Sequence, residues 1–331
     1  MPRDLILKCP LSPGDILMMT AAVRDLHIAH PGAFRTDVRT PAEQIWENNP
    51  YITRLGDDEP GVEVIDMQYD LIHRSNDAPF HFIHGFAQHL ERTLGVAVPL
   101  TKFRGDIHLG PMEKAWVNQV QEEPIAWNND FWIIMAGGKY DFTAKWWDPT
   151  RYQRVVDHFA GRIQFVQCGE ASHWHNRLNG VIDLVGKTDI RQFIRLMHHA
   201  VGVLCPVTFA MHLSAAVETR PGRPRNRACV VVAGGREPSQ WEKYPHHRFH
   251  ETNGALDCCD DGGCWKSRCQ PVGDGDLKDR PEALCPRPIQ VAPELVIPRC
   301  MDLITADDVI RSIELYYEGG ALTYTGPGPV A

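Results

Sequence analysis

A short loop near the N-terminus carries the first residue that could do acid–base chemistry. Ser12, Pro13, Gly14 and Asp15 follow the apolar run LIL and precede a stretch whose apolar residues keep helical spacing. Ligands of open α/β sheets usually bind where a parallel strand ends and a helix begins. Asp15 is therefore expected either to face a ligand cleft or to cap the first turn of the helix.

Later strand ends carry residues suited to a diphosphate. Lys139 and Lys145 follow an apolar segment, and their ammonium groups could neutralise phosphate charge. Thr208 and His212 lie where a buried strand runs into a helix, whose first N–H groups form an anion site. Arg236 follows a further strand and could pair with phosphate through its planar fork. The alternatives are that the two lysines are ordinary exposed residues, that His212 is structural, and that Arg236 belongs to a glycine-rich turn.

Further polar residues lie at predicted strand or helix edges. Glu170 follows another strand and is a candidate contact for a base or a ribose. His81 and His84 have helical spacing, and an acceptor contact is one interpretation of them. Surface positions on a partly buried helix are the interpretation that we favour, and we treat His173 and His175 in the same way.

Six of the ten cysteines are concentrated in a short C-terminal segment, namely Cys258, Cys259, Cys264, Cys269, Cys285 and Cys300. Thiolates on loops can close a tetrahedral zinc or iron site and so fix a segment that lacks its own apolar core. The spacing contains no Cys-x2-Cys pair, and disulfides or unrelated thiols remain the alternative. Because the sequence shows no export signal, we interpret the cysteines as metal ligands or free thiols rather than as disulfides.

Alternating strands and helices must position these residues. Apolar runs followed by helical patterns predict parallel strands joined by right-handed crossovers. Strands are predicted at 5–8, 62–65, 69–72, 131–135, 163–167, 201–204 and 228–232, and helices at 16–26, 82–94, 152–159, 190–199, 211–217 and 305–317. Polar sequence at 121–124 predicts a linker between two α/β domains.

Composition excludes several classes of function. The net charge of −8 argues against nucleic-acid or acidic-membrane binding, since both need a concentrated basic surface. The apolar run at the start is too short for a signal peptide, and no stretch reaches membrane-spanning length. The sequence therefore predicts a cytoplasmic protein without a transmembrane segment.

The stretch LILKCPLSPGDILMMTAAVRDLHIAHPG resembles the opening of glycosyltransferase family 9, the ADP-heptose heptosyltransferases. The resemblance implies that Asp15 is the catalytic base and that Gly14 allows the backbone close to the sugar. It also implies donor contacts for Lys145, Thr208 and His212. Val207 and Phe209, however, stand where the family's Asp-Thr-Gly loop has Asp and Gly.

Autotransporter heptosyltransferases, relatives within that family, hold iron through cysteines in a comparable region, and this resemblance supports a metal here. A four-ligand site is predicted from Cys259, Cys264, Cys285 and Cys300, with Cys258 and Cys269 as alternates. A shell made of four thiolates leaves no open position for a substrate, so the role would be structural.

The predicted fold class is α/β, of the GT-B type, with two Rossmann-like domains facing a cleft. The acceptor-side domain spans residues 1–124, and the nucleotide-sugar domain spans 125–304 with a cysteine-rich metal-binding insertion at 256–301. A helix at 305–318 is expected to cross back to the first domain, as it does in the family.

The predicted function is that of a glycosyltransferase without a catalytic metal, which moves a heptose-like sugar or another hexose from a nucleotide diphosphate-sugar to the hydroxyl of a glycan, a protein or a small molecule. The resemblance to family 9 implies that the transfer inverts the anomeric carbon. Asp15 would be the base, while Lys145, Arg236, Thr208 and the helix start near His212 stabilise the departing diphosphate. A nucleotide-sugar epimerase or hydrolase, and a non-catalytic metal-stabilised binding protein, are the alternatives.

Overall fold

Two parallel sheets organise the chain, one in each half. The computed structural model describes residues 2–69, 74–77, 79–116, 119–123, 126 and 130–328. The first half is taken as residues up to 123 and the second half as residues from 130 onward. The predicted domain boundary, between residues 124 and 125, lies outside the described residues.

The first half forms a three-stranded sheet in the order β2-β1-β3, with parallel pairing throughout. Its elements are β1 Arg3–Lys8, α1 Pro13–Ala29, β2 Phe34–Arg39, β3 Val62–Asp66, α2 Ile83–Leu94 and α3 Pro111–Ala115. The apolar run of β1 is fully buried, as expected for a central parallel strand. The strand predicted at 69–72 lies outside the described residues except for Tyr69, which belongs to no strand.

The second half forms a six-stranded parallel sheet in the order β11-β10-β9-β4-β6-β8. Its strands are β4 Phe131–Ile134, β5 Gly137–Gly138, β6 Gln164–Gln167, β7 Trp174–His175, β8 Ile182–Asp183, β9 Gly202–Pro206, β10 Ala228–Gly234, β11 Arg248–Glu251, β12 Pro288–Ala292 and β13 Leu295–Pro298. Its helices are α4 Pro149–His158, α5 Ile190–His199, α6 Phe209–Ala216, α7 Ser239–Glu242, α8 Arg299–Asp302 and α9 Ala306–Glu318. The predicted α/β class with parallel sheets is therefore confirmed.

The cysteine-rich segment has little regular structure. Between β11 and β12 the chain forms only short 3-10 turns, at Asp257–Cys259, Leu277–Asp279 and Pro281–Ala283. The strands β12 and β13 then pair as an antiparallel hairpin. The segment has no extended apolar core of its own, because its buried side chains form only small clusters with neighbouring parts of the second half.

The two halves share one apolar core. A single cluster of buried side chains joins Leu5 and Leu17 of the first half to Val203 and Leu213 of the second. Helices α1 and α6 contact each other in this cluster. The packing places the N-termini of both helices at the same opening between the halves.

A buried arginine adds a polar connection between the halves. The guanidinium of Arg191 on α5 donates to both carboxylate oxygens of Glu113, each at 2.6 Å, and to the carbonyl oxygens of Gln44 and His108. Burial opposes ionisation of Glu113, but the hydrogen bonds from Arg191 and Gly110 lower its pKa. The carboxylate of Glu113 is therefore ionised at neutral pH.

The last helix packs on the second half, where we expected it to cross back to the first. Thr305 caps α9, and its hydroxyl accepts from the backbone N–H of Asp308. The apolar face of α9, formed by Val309, Ile310 and Ile313, is buried with α4 and β10. Since this face finds its apolar partner on the second sheet, the helix stays with that half.

Arg191→Leu is expected to lower the free energy of unfolding by about 3 kcal/mol, because it leaves the carboxylate of Glu113 without its buried partner. Urea denaturation measures the change. Arg154→Leu is the control, since its ion pair with Asp307 is exposed at 2.7 Å and should cost less than about 1 kcal/mol. Equal losses in the two variants would contradict the importance of this connection.

Candidate functional site

A cleft of about 410 Å³ lies between the two halves, at the carboxyl ends of β1, β4, β6, β9 and β10. It brings together every predicted catalytic and donor-binding residue, namely Gly14, Asp15, Lys145, Glu170, Thr208, His212 and Arg236. These residues come from separate strand ends along the sequence. Their convergence follows from the parallel arrangement, because successive carboxyl ends meet at one edge of each sheet.

Asp15 is fixed at the cleft by two hydrogen bonds. The hydroxyl of Tyr69 donates to one carboxylate oxygen at 2.5 Å, and the backbone N–H of Ser12 donates to the other at 3.2 Å. Burial raises the pKa of Asp15, and the hydrogen bonds from Tyr69 and Ser12 act against that rise. Asp15 therefore both faces the cleft and caps the first turn of α1. The pKa of its carboxyl group lies above the ordinary value.

Lys145 and Arg236 share one buried carboxylate. The ammonium of Lys145 lies 3.1 Å from Glu237 and 3.4 Å from the carbonyl oxygen of Val207. The guanidinium of Arg236 also pairs with Glu237 and donates to the carbonyl oxygen of Lys266 at 2.5 Å. Although burial opposes ionisation of Glu237, the charges of Arg236 and Lys145 lower its pKa.

Glu242 is a second buried carboxyl group in the cleft. Burial, followed by the charge of Glu237, raises the pKa of Glu242 well above its ordinary range, which favours the protonated form of this carboxyl group. Its Oε2 atom lies 3.7 Å from Nε2 of His212 and has no hydrogen-bond partner within the described parts of the chain. Nothing in the polar run around Glu242 pointed to this position from the sequence.

His212 is buried beside Gly14, at the contact between α1 and α6. Its Nδ1 atom lies 3.1 Å from the hydroxyl of Tyr244. Burial lowers the pKa of His212 well below its ordinary range, so the imidazole is neutral. Any contact with a diphosphate would use a neutral hydrogen bond rather than a positive charge.

The start of α6 lines the cleft. Thr208 is the N-cap residue, and its hydroxyl makes no capping hydrogen bond to the helix. The first N–H groups of α6 are therefore the donors at this end. Phe209 and Val207 line the same region without adding charge.

Two of the histidines considered in the sequence analysis line the cleft, and a third is buried in the core. His173 and His175 line the cleft beside Glu170, although surface positions were favoured for them. His81 is 5% exposed and packs against Phe103 and Tyr244, so the expectation of a surface histidine is corrected there. His81 is buried because the N-terminal end of α2 packs against the second half, where the N–H of Phe82 donates to the carbonyl oxygen of Trp241.

The predicted metal ligands surround a second, small cavity of about 10 Å³. Cys259, Cys264, Cys285, Cys300 and the alternate Cys258 line it, whereas the alternate Cys269 does not. Cys269 instead hydrogen-bonds with Cys285, which lowers the pKa of Cys285 to about 7. Across the described ranges, no three Cys, His, Asp or Glu side chains are already arranged as metal ligands.

Comparison with known families gives a direct match over the central part of the chain. Residues 82–221 match glycosyltransferase family 9 (heptosyltransferase). The matched segment contains Lys145, Thr208 and His212, whereas Asp15, Arg236 and the clustered cysteines lie outside it. A comparison with curated proteins gives no match.

Solved structures of that family share the fold. The family 9 glycosyl transferase from Veillonella parvula DSM 2008 is 13% identical, with 96% of this chain and 98% of that chain covered and a TM-score of 0.64. The ADP-heptose LPS heptosyltransferase II of E. coli is 14% identical, with 96% of this chain and 100% of that chain covered and a TM-score of 0.57.

A third structure is the dodecameric iron-containing heptosyltransferase TibC in complex with ADP-D-β-D-heptose. It is 15% identical, with 96% of this chain and 77% of that chain covered and a TM-score of 0.59. TibC comes from enterotoxigenic E. coli H10407. These likenesses confirm the predicted GT-B fold, and together with the family match they support a glycosyltransferase.

No helix in the described ranges combines the length and the apolar character that crossing a membrane requires.

Asp15→Asn is expected to raise the melting temperature at pH 7 and to change it less at pH 4. Because burial raises the pKa of Asp15, the native state holds this proton at a pH where the unfolded chain, with a pKa of about 3.9, has lost it. Native stability therefore falls as the pH rises through that window, and the neutral amide removes the loss. Thermal unfolding followed by circular dichroism gives the melting temperatures of wild type and variant. An equal change in melting temperature at both pH values would contradict the expectation.

Proposed function

We propose that this protein is an inverting glycosyltransferase that moves a sugar from a nucleotide diphosphate-sugar to an acceptor hydroxyl. The observation that carries the proposal is the placement of Asp15, a buried and doubly hydrogen-bonded carboxylate, in one cleft with Lys145 and the N-terminus of α6. A proton acceptor and an anion site thus face a single cavity large enough for a small ligand.

Asp15 would act on the acceptor. In its ionised form it takes the proton of the acceptor hydroxyl as the oxygen attacks the anomeric carbon. The new carbon–oxygen bond forms as the bond from the anomeric carbon to the diphosphate oxygen breaks, and the nucleoside diphosphate leaves with that electron pair. Attack opposite the leaving group inverts the anomeric centre. Tyr69 fixes the orientation of the base through its hydrogen bond.

The departing diphosphate would be stabilised from the second half. Lys145 and Arg236 bring two positive charges, and α6 contributes its first N–H groups beside Thr208. Glu237 neutralises one of these charges. The cleft is therefore suited to bind a diphosphate and to release it after transfer. Glu170 remains a proposed contact for the base or ribose at the cleft edge.

The donor is proposed to be an ADP-sugar first of all, because the TibC structure contains ADP-D-β-D-heptose. The acceptor is proposed to be a glycan, a protein or a small molecule. A cytoplasmic location fits a nucleotide-sugar substrate and stays a prediction.

The cysteines are proposed to hold one structural zinc or iron ion. Cys259, Cys264, Cys285 and Cys300, the last of them on α8, line one cavity of about 10 Å³, close to the volume of a single water-sized probe. Four thiolates are a donor set that suits zinc or iron. Bound there, the ion would tie the irregular segment to the turn after β10 and to α8, without taking part in the reaction.

Turnover should depend on Asp15 although donor binding does not. A thermal-shift and turnover screen with ADP-, GDP-, UDP- and CMP-sugars is expected to find a donor that stabilises both wild type and Asp15→Ala. Nucleotide release should fall about 100-fold or more in the variant. Asp58→Ala, which changes an exposed carboxylate outside the cleft, should behave like wild type.

Release of nucleotide at the wild-type rate by Asp15→Ala would contradict the proposed base. Wild-type turnover of donor in the absence of an acceptor would favour the epimerase or hydrolase alternative. A screen in which no donor stabilises wild type would favour the binding-protein alternative.

Metal analysis by mass spectrometry is expected to find about one zinc or iron ion per chain. Cys264→Ser should lose the ion and lower the melting temperature, since the segment depends on it for its structure. Cys168→Ala, a buried cysteine outside the segment, is the matched control and should keep the ion. Metal-free wild type, or equal metal content in both variants, would contradict the site.

A further inference from the structure

Trp265 has a backbone conformation that a bulky residue rarely adopts. Its φ is 55°, in the left-handed region, and among described residues other than glycine only Asn48 shares a positive φ. Such a conformation costs an L-residue about 1 kcal/mol or more, and these outliers concentrate at functional sites. Trp265 also lines the cleft. The strained residue and the substrate cavity therefore coincide.

Neighbouring loops hold Trp265 in this conformation. Its backbone N–H donates to the carbonyl oxygen of Arg236 at 2.8 Å, and its indole N–H donates to the side chain of Asn76 at 2.6 Å. The amide of Asn76 donates in turn to the carbonyl oxygens of Asp261 and Gly263. The cysteine-rich segment thus presents one indole ring to the cleft and ties it to the first half.

The rings beside Trp265 lead toward the proposed base. Trp241 lies edge-on to Trp265, with ring centroids 5.8 Å apart, and Tyr69 lies 6.1 Å from Trp241. Tyr69 is the residue that donates to Asp15. The guanidinium of Arg236 lies 5.9 Å from the ring centroid of Trp265. Trp265 is consequently next to Arg236, a proposed diphosphate contact, and is linked through Trp241 to the tyrosine that binds the proposed base.

Glu242 is a polar residue that lines the same cleft. Its side chain is only 8% exposed, it lines the cleft, and its Oε2 atom has no hydrogen-bond partner in the described part of the molecule. A buried polar atom without a partner costs free energy unless a ligand satisfies it. Val207, at the β9 strand end, offers no carboxylate to a sugar, whereas Glu242 offers one from α7.

We propose that Trp265 and Glu242 form the subsite that holds the sugar ring of the donor. A sugar ring presents C–H groups on its faces and hydroxyl groups at its edge, and an indole carries negative charge density on its face. Trp265 packs against the ring, and the carboxyl group of Glu242 hydrogen-bonds with its hydroxyl groups. This inference rests on the proposed function and adds a role for the cysteine-rich segment in substrate binding.

The test compares each nucleotide-sugar with its bare nucleotide, for example ADP-D-β-D-heptose with ADP, by isothermal titration calorimetry. Glu242→Leu and Trp265→Gly are each expected to weaken binding of the nucleotide-sugar about tenfold and to leave the bare nucleotide unchanged. Glu242→Gln keeps a neutral hydrogen-bonding group and should retain most of the affinity. Leu277→Ala, an exposed position in the same segment, is the control.

The glycine variant separates the effect of losing the indole ring from the effect of the strained backbone. Glycine adopts a positive φ without strain, so Trp265→Gly should melt at a higher temperature than Trp265→Ala while binding the sugar equally poorly. If Trp265→Gly does not fold, Trp265→Phe decides the matter, because it keeps a smaller ring and should weaken nucleotide-sugar binding about threefold.

The outcomes separate this inference from the proposed function. Loss of affinity confined to the sugar-bearing ligand supports the subsite. Equal weakening of nucleotide and nucleotide-sugar, or no change in either, overturns the subsite and leaves the transferase intact. If wild type binds no member of a panel of ADP-, GDP-, UDP- and CMP-sugars or their nucleotides, the proposed function fails and the subsite fails with it.

Discussion

The cleft depends on one buried carboxylate, Glu237, which balances two cations. Burying an unpaired charge is costly. The ion pairs with Glu237 therefore fix the positions of Lys145 and Arg236 at the cleft. Two positive charges and one negative charge leave the cluster with one net positive charge, which faces the cleft. Burial and the nearby charge of Glu237 both raise the pKa of Glu242, because two adjacent carboxyl groups cannot both ionise cheaply.

Helix geometry completes the arrangement. The N-termini of α1 and α6 both open onto the cleft, one beside Asp15 and the other beside Thr208. A helix N-terminus favours negative charge, so both positions suit anions. In α1 the chain fills the position with its own carboxylate, whereas in α6 no side-chain hydrogen bond caps the helix and the N–H groups are the proposed donors to the diphosphate. Similar local structures therefore serve two different chemical purposes.

Sequence reasoning could locate the cleft but not all of its contacts. Asp15, Lys145 and Thr208 were predicted from their places near strand ends together with the resemblance to family 9, and parallel strands bring their carboxyl ends to one edge. Tyr69 and Glu242 were missed because their roles depend on contacts between segments far apart in the sequence. No local pattern records such contacts.

The cysteine segment and the last helix show the same limit. Trp265 was visible only as a neighbour of Cys264, and its left-handed conformation depends on Arg236 and Asn76 from other segments. The apolar face of α9 was predicted correctly, but periodicity does not state which sheet will cover it. Local propensity fixes elements, while their partners are fixed by packing across the whole chain.

The apolar core that both halves share has a consequence for mobility. Domains joined by a small polar interface rock freely about a hinge, whereas a large apolar interface resists such motion. Here one cluster of buried apolar side chains runs from β1 through α1 and α6 to β9, with the buried His212 at the contact between the two helices. Opening the halves like a clamp would expose that core to water. Substrate entry and product exit should therefore rely on the loops at the rim of the cleft, with the two sheets moving as one body.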